Sequence, residues 1–529
     1  MNDQTEHRRE LSLREKIGQL IVTGFPGPAI TDELRELARE WKIGNIILFA
    51  YNAENKSQLA ALCGDLQRLM TGATGYPALI SIDQEGGRVT RLPRDAVNVP
   101  GAMAVAASGR PDHALTAGRM TARELRALGI NFNLAPVLDI NNNKRNPVIN
   151  VRAYGDTAES VTSYGLQMLR GLQEEGVLAA VKHFPGHGDT EVDSHLGLPA
   201  VSKSLAELEA LELRSFRAAI AAGAEALTIA HMLFPAIEPE RVPATMSRAI
   251  VTDLLKRELG YEGLVISDCL EMDAIQQYYG TAKGALGALK AGIHLLFVSH
   301  TPALVRETVQ VIERAVLSGE LPMETVDAAV DKVLYYKMKY GKPSEALPLS
   351  VVGCEAHRQA AAAISEASVC LVAGELAPIA ADGGRTLFAG SHPYRTDRAS
   401  SQVRMGLSFP EAMADRLGGA QLLTGIDPDE AELGQLLREA EACDRVVFGL
   451  YNGVDNPGQL AAVRRLVSAG KRVTAVALGK PYDLEALAGL ACGLAAFEYT
   501  ALSLASVARV LAGEVAPAGR IERVWQRDS

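Results

Sequence analysis

Val177-Leu178-Ala179-Ala180-Val181-Lys182-His183-Phe184-Pro185-Gly186-His187-Gly188-Asp189-Thr190-Glu191-Val192-Asp193-Ser194-His195 joins an unbroken apolar run to a polar, glycine-punctuated loop. The run from Val177 to Val181 is continuous rather than alternating, the pattern of a short strand buried on both faces. The loop carries His183, His187 and His195, Lys182, and the acids Asp189, Glu191 and Asp193. Core packing does not account for such a loop. Its side chains are the types that move protons near neutral pH. Glycines at 186, 188 and 197 admit backbone angles other residues resist, so the loop can be tight or mobile, and the expectation is a lid that closes over a ligand.

The same unit recurs on either side. Strand-like runs fall at Gln19–Gly24, Ile43–Phe49, Ala78–Asp83, Phe132–Asp139, Leu178–His183, Ala226–His231, Leu264–Asp268 and Ile293–Val298. Amphipathic stretches separate them, among them Thr31–Glu40, Ser57–Met70, Asp112–Leu128, Ser160–Glu175, Ser204–Ala222, Ser247–Leu259 and Pro302–Leu317. Eight buried strands alternating with helices predict a (β/α)8 barrel of the TIM type. Polar groups collect at the C-terminal ends of the runs: Asp83 and Glu85, Asp139, Lys182 and His183, His231, Asp268. Any one of them could be capping the next helix. So many at one end point to the catalytic face of a barrel.

A long helical pattern at Val326–Lys339 is followed by Gly341, Pro343 and Pro348, the composition of a boundary. Beyond it, Val369–Ala373, Thr386–Gly390, Arg445–Tyr451, Val473–Leu478 and Ala495–Tyr499 predict a smaller α/β sandwich domain. The expected division is a barrel over 1–340, a linker over 341–355 and the second domain over 356–529. Gly449, Gly453 and Gly458 are too dispersed for a dinucleotide fingerprint. The chain has 529 residues and a net charge of −10, which argues against a nucleic-acid footprint, since that would need a basic face. Its six cysteines fall in no metal-like spacing, and no apolar run approaches a membrane span. The expectation is a cytoplasmic protein with no nucleic-acid or membrane partner and no cofactor; the oligomeric state is left open.

Asp268 closes the run Gly263-Leu264-Val265-Ile266-Ser267-Asp268. A carboxylate there faces the barrel mouth and can attack an electrophilic carbon; the alternative is an N-cap. Asp193 and His195, two apart on the loop, suit a dyad in which the acid fixes the imidazole tautomer. A chance surface pair is the bland alternative. Metal ligation by His183, His187, Asp189, Asp193 and His195 is another, and the expectation is no metal. Asp83 to Arg91 and the polar loop Asn141 to Gly155, with Arg152, carry the carboxylates and guanidiniums that hold sugar hydroxyls and amide oxygens.

Lys182–Pro199, Asp83–Arg91, Val151-Arg152-Ala153-Tyr154-Gly155 and Ser267-Asp268 with Met272 together resemble the signatures of family-3 glycoside hydrolases, in their β-N-acetylglucosaminidase branch. The resemblance extends along the chain to Pro517-Ala518-Gly519-Arg520, similar to the closing turn of that family's second domain. It implies that Asp268 is the nucleophile, that His195 is the general acid/base, and that Asp193 is its partner. It implies contacts to N-acetylglucosamine from Asp83, Arg91, Arg152, Lys182 and His183. Retaining glycosidases usually employ two carboxyl groups about 5–5.5 Å apart. Here a His–Asp dyad would replace one, and an imidazole titrates near neutrality without deep burial.

The expected activity is that of a retaining exo-β-N-acetylglucosaminidase working on N-acetylglucosaminides and muropeptide fragments from cell-wall turnover. A phosphorylase using the same site is the alternative within the fold. A catalytically inactive carbohydrate-binding protein is the alternative from another class.

Overall fold

The computed structural model describes residues 10–190, 197–341, 347–379, 385–397, 399–401 and 406–521. Eight parallel strands close into a barrel: β1 Ile21–Thr23, β2 Asn45–Leu48, β3 Ile80–Ile82, β4 Phe132–Asn133, β5 Leu178–Phe184, β6 Ala226–Ile229, β7 Leu264–Cys269 and β8 Leu295–Phe297. Closure comes from β1 pairing with β8, Ile21 beside Leu296 and Val22 beside Phe297. These strands are buried on both faces, which is why their sequences read as unbroken apolar runs.

Most strands sit inside the predicted runs, with two differences of physical interest. The expected strand Phe132–Asp139 is cut to Phe132–Asn133. Pro136 has no N–H to give a ladder, and only an isolated bridge from Val137 to Lys182 continues the pairing. The helix expected over Ser204–Ala222 is two helices, Leu205–Ala210 and Glu212–Ala221, broken where Leu211 leaves helical geometry (φ −133°, ψ −79°).

The second part of the chain forms a six-stranded sheet. Its strands are β9 Cys370–Gly374, β10 Thr386–Ser391, β11 Ala420–Thr424, β12 Arg445–Leu450, β13 Arg472–Ala477 and β14 Cys492–Ala495, in the order β11-β10-β12-β13-β14-β9. Only β9 runs antiparallel. The sequence reading missed β11, an edge strand whose Ala420, Gln421 and Leu423 face solvent, and placed β14 a few residues too late.

The helix Glu355–Ser368 ties the two parts together. His357 Nδ1 lies 2.9 Å from the buried carboxylate of Glu124, which also accepts from the Gly353 and Val97 amides at 3.0 and 2.8 Å. Ala361 and Ile364 of this helix join the barrel's apolar core. Among the described residues no helix is long and apolar enough to cross a membrane.

Candidate active site

The C-terminal ends of the barrel strands open into a cavity of about 440 Å³. Asp83, Arg91, Arg152, Lys182, His183 and Asp268, singled out from four separate stretches of the sequence, all line it. Asp193 and His195 lie outside the described residues.

Two strands lose regular register where they deliver site residues. The β5–β6 pairing shifts between Val181 and Phe184, across Lys182 and His183, and the peptide between those two is cis. The β7–β8 pairing shifts between Ile266 and Cys269, across Asp268. Such irregularities re-aim side chains that an even ladder would direct elsewhere. Asp268 Oδ1 accepts from the Cys269 amide at 2.7 Å. The Cys269 carbonyl accepts in turn from His231 Nε2 at 2.9 Å, and His231 Nδ1 lies 2.7 Å from Thr245 Oγ1. His231 therefore positions the turn that carries Asp268.

The floor is an ion-pair network organised by Glu85. Its carboxylate takes Arg152 in a forked pair, 2.9 Å from Nε and 2.7 Å from the terminal nitrogen, and Lys182 Nζ at 2.7 Å. Lys182 also bonds Asp83 at 2.9 Å. Burial would push the Glu85 carboxyl up, but the charges of Arg152 and Lys182 prevail and hold it well below the usual carboxylate range. Burial likewise opposes the charge on Lys182, and Asp83 and Glu85 more than restore it. The result is a set of fixed, ionised donors and acceptors beside Asp83, suited to the vicinal hydroxyls of a sugar. In the cavity wall, Thr228 Oγ1 is buried with no hydrogen-bond partner among the described residues.

The described start of the loop after β5 is held in place, the tight alternative that its glycines allow; residues 191–196 lie outside the described residues. The His187 amide donates to Asp139 Oδ1 at 2.7 Å, and Asn146 Nδ2 donates to the carbonyls of His187 and Gly188 at 2.8 and 2.9 Å. A Cβ on Gly188 would lie 1.6 Å from the Ile140 carbonyl oxygen, so glycine there serves close packing. The His187 ring is buried, and burial followed by the neighbouring His183 lowers its pKa to about 4. It is a neutral structural imidazole.

The second domain reaches the site. Arg395, Ala399, Ser400 and Ser401, on the segment after β10, line the same cavity. This strap is pinned to the loop after β3. Arg91 donates to the Ala399 carbonyl at 2.7 Å and to Ser401 Oγ at 3.2 Å. The Thr90 amide donates to Ser401 Oγ at 2.8 Å, and the Ser401 amide to the Arg88 carbonyl at 2.9 Å. Arg88 pairs with Asp397 at 3.1 Å, with side chains only 11% and 2% exposed. The sequence reading singled out neither Arg88 nor the strap. The available signal was the polar run Tyr394-Arg395-Thr396-Asp397 just beyond a strand end, the same signature that marked the barrel loops.

Residues 12–336 match the family description "Glycosyl hydrolase family 3 N terminal domain". Beta-hexosaminidase A of Pseudoalteromonas piscicida is 33% identical over 364 residues, 64% of this chain. The chain spans 60% of the length of that relative. A beta-hexosaminidase of Stenotrophomonas maltophilia is 32% identical over 300 residues, 56% of this chain and 87% of that protein. Among solved structures, the family-3 beta-N-acetylglucosaminidase of Paenibacillus sp. str. FPU-7 superposes with a TM-score of 0.91 at 37% identity, covering 97% of this chain and 98% of that one.

Proposed function

The chain belongs to glycosyl hydrolase family 3, and on that premise we propose that it is a retaining exo-β-N-acetylglucosaminidase. The observation that carries the reading is the convergence of Asp268 with Asp83, Arg91, Arg152, Lys182 and His183 on one cavity. The names of its relatives, beta-hexosaminidases and a beta-N-acetylglucosaminidase, point to the same sugar.

In the proposed reaction the Asp268 carboxylate attacks C1 of N-acetylglucosamine. The C1–O bond to the aglycone breaks as His195, oriented by Asp193, gives its proton to the departing oxygen. Water then attacks C1, passing a proton to His195, and the electron pair of the ester bond returns to Asp268. The buried floor of Glu85, Lys182 and Arg152 orients Asp83 and closes the far end of the cavity, so one terminal sugar enters and the aglycone points out. We assign 1–340 to the barrel domain, 341–355 to the linker and 356–529 to the second domain, whose strap supplies part of the cavity wall. The proposed substrates are N-acetylglucosaminides from cell-wall turnover. All six cysteines are free thiols, which supports a reducing, cytoplasmic setting.

The test is hydrolysis of 4-nitrophenyl N-acetyl-β-glucosaminide followed by NMR. The β anomer of free N-acetylglucosamine should appear first. First appearance of the α anomer would overturn the double-displacement mechanism, and no turnover would overturn the activity.

A further inference from the structure

We propose that Tyr51, on the loop after β2, is a specificity-determining residue: its ring is the platform on which the aglycone sugar of the substrate rests. This rests on the function proposed above.

The cavity has a buried end and an open end. At the buried end Arg152 and Lys182 are each only 5% exposed and are matched by Glu85 and Asp83. At the open end Tyr51 is 44% exposed and His300 is exposed, and both still line the cavity. A terminal sugar that fills the buried end sends its aglycone past these two residues.

An exposed tyrosine taken singly calls for no explanation. This one belongs to a row of rings along the cavity wall. Phe49, half-buried, stacks on Tyr51 with centroids 5.4 Å apart and planes 28° apart. It also packs on His300, at 4.7 Å and 32°, so the row joins the loops after β2 and β8. Asn52 fixes the loop from below. Fully buried, it accepts from the Phe49 amide at 2.8 Å and donates to the carbonyls of Phe25 and Gly27 at 3.0 and 2.6 Å. A ring already held in place loses little freedom when a ligand covers it.

The row also stands beside the reacting centre. Burial, and behind it the neighbouring Cys269 and Glu271, push the Tyr51 hydroxyl up to about 12. Cys269 directly follows Asp268 and lines the cavity with it. A sugar whose C1 faces Asp268 therefore carries its aglycone within reach of Tyr51, which is uncharged at neutral pH. In a β-linked N-acetylglucosamine the ring substituents are equatorial and the C–H bonds axial. Each face of such a ring is apolar, with the partial positive charge that the negative face of an aromatic ring attracts.

The experiment compares wild type, Tyr51→Ala and Tyr51→Phe on N,N′-diacetylchitobiose and on 2,2,2-trifluoroethyl N-acetyl-β-glucosaminide. Both release N-acetylglucosamine from an alcohol of similar acidity, and only the first carries a second sugar ring. The readout is the ratio of kcat/KM, chitobiose over trifluoroethyl glycoside. Loss of folded enzyme cancels in it, as does any disturbance of the buried end that both substrates share. The ratio should fall roughly 3- to 15-fold in Tyr51→Ala, the scale of covering one face of an aromatic side chain. Tyr51→Phe keeps the ring and should keep most of the ratio. An unchanged ratio in Tyr51→Ala overturns the proposal and leaves Tyr51 as a packing partner of Phe49. An equal fall in Tyr51→Phe also overturns it, since the hydroxyl rather than the ring would then be the contact. So does a wild type that cleaves the trifluoroethyl glycoside and not chitobiose, because no sugar would be received on the aglycone side. Failure of wild type on both glycosides would instead sink the proposed function.

Discussion

Nδ1 of His183 lies 2.6 Å from Oδ2 of Asp139, a carboxylate with no exposed surface. The amides of His183 and His187 also donate to Asp139, at 3.2 and 2.7 Å. Burial opposes the charge on Asp139, but the His183 ring and these donors outweigh it and keep the carboxyl below its ordinary value. The ring therefore carries its proton on Nδ1, and its other nitrogen serves the cavity that His183 lines. His183, which lines the cavity, is thus backed by Asp139, and this pair is distinct from Asp193 and His195, for which the acid role is proposed.

Leaving-group dependence separates the two. Removal of a general acid harms substrates whose leaving oxygen needs a proton, whereas removal of a sugar contact harms all substrates alike. His195→Ala should lose far more kcat on N,N′-diacetylchitobiose than on the 4-nitrophenyl glycoside, with Asp193→Ala following in milder form. His183→Ala should lose kcat/KM similarly on both. The opposite pattern would transfer the acid role to His183 and Asp139.

Asp268→Asn should abolish turnover without unfolding the protein. Asparagine keeps the oxygen that accepts from the Cys269 amide, and removes the charge that attacks C1. The expected loss of kcat is at least about 1,000-fold, or roughly 4 kcal/mol of barrier, with an unchanged thermal midpoint. Activity within about tenfold of wild type would remove Asp268 from the nucleophile role.

The barrel was legible because each strand is buried on both faces and each strand end carries its chemistry in sequence order. Asp83, Lys182, His183 and Asp268 could be read this way because β3, β5 and β7 end at or beside them. Glu85 was visible in the same motif, but its rank was not. The sequence shows an acid two residues from Asp83, while its partners Arg152 and Lys182 are 67 and 97 residues further along the chain. The strap was harder still. Arg91 meets Ser401 across 310 positions, and no local periodicity records such a contact. The solvent-facing pattern of β11 hid an edge strand for the converse reason, since little of it enters the core.

Glu85→Gln should destabilise the protein and do so in a pH-dependent way. The variant leaves Arg152 and Lys182 buried with one anion fewer, a change that typically costs about 3–5 kcal/mol. Because the folded carboxyl titrates below the unfolded one, Glu85 contributes its stability fully above the unfolded pKa of about 4.3 and loses it as pH falls toward the folded pKa. Urea midpoints should therefore differ most, and by a constant amount, above about pH 5, and converge below about pH 4. An equal gap at pH 3 and pH 7 would mean that Glu85 acts through shape rather than charge.

Glu498 should show the reverse sign. It is buried where the second domain meets the loop after β3, accepting from the Gly101 amide at 2.8 Å and from Thr500 Oγ1 at 2.9 Å. Its Oε2 also sits 2.5 Å from where a Cβ on Gly87 would be, so no larger residue fits beside it. Burial raises its pKa to about 7, and those two hydrogen bonds only partly offset the effect. The folded state thus holds a proton that the unfolded chain has already released. Stability conferred by the neutral form is intact below the unfolded pKa of about 4.3, falls as pH rises from there to about 7, and stays low beyond. Glutamine is neutral at every pH; its oxygen can accept from Gly101 and its amide can donate to the Thr500 hydroxyl. Glu498→Gln should match wild type near pH 4.5 and exceed it at pH 8 by on the order of 1–3 kcal/mol, read as a higher urea midpoint. A variant less stable than wild type at pH 8 would show that the carboxylate is paired and ionised at this junction, and that the two domains are joined there by charge rather than by a protonated acid.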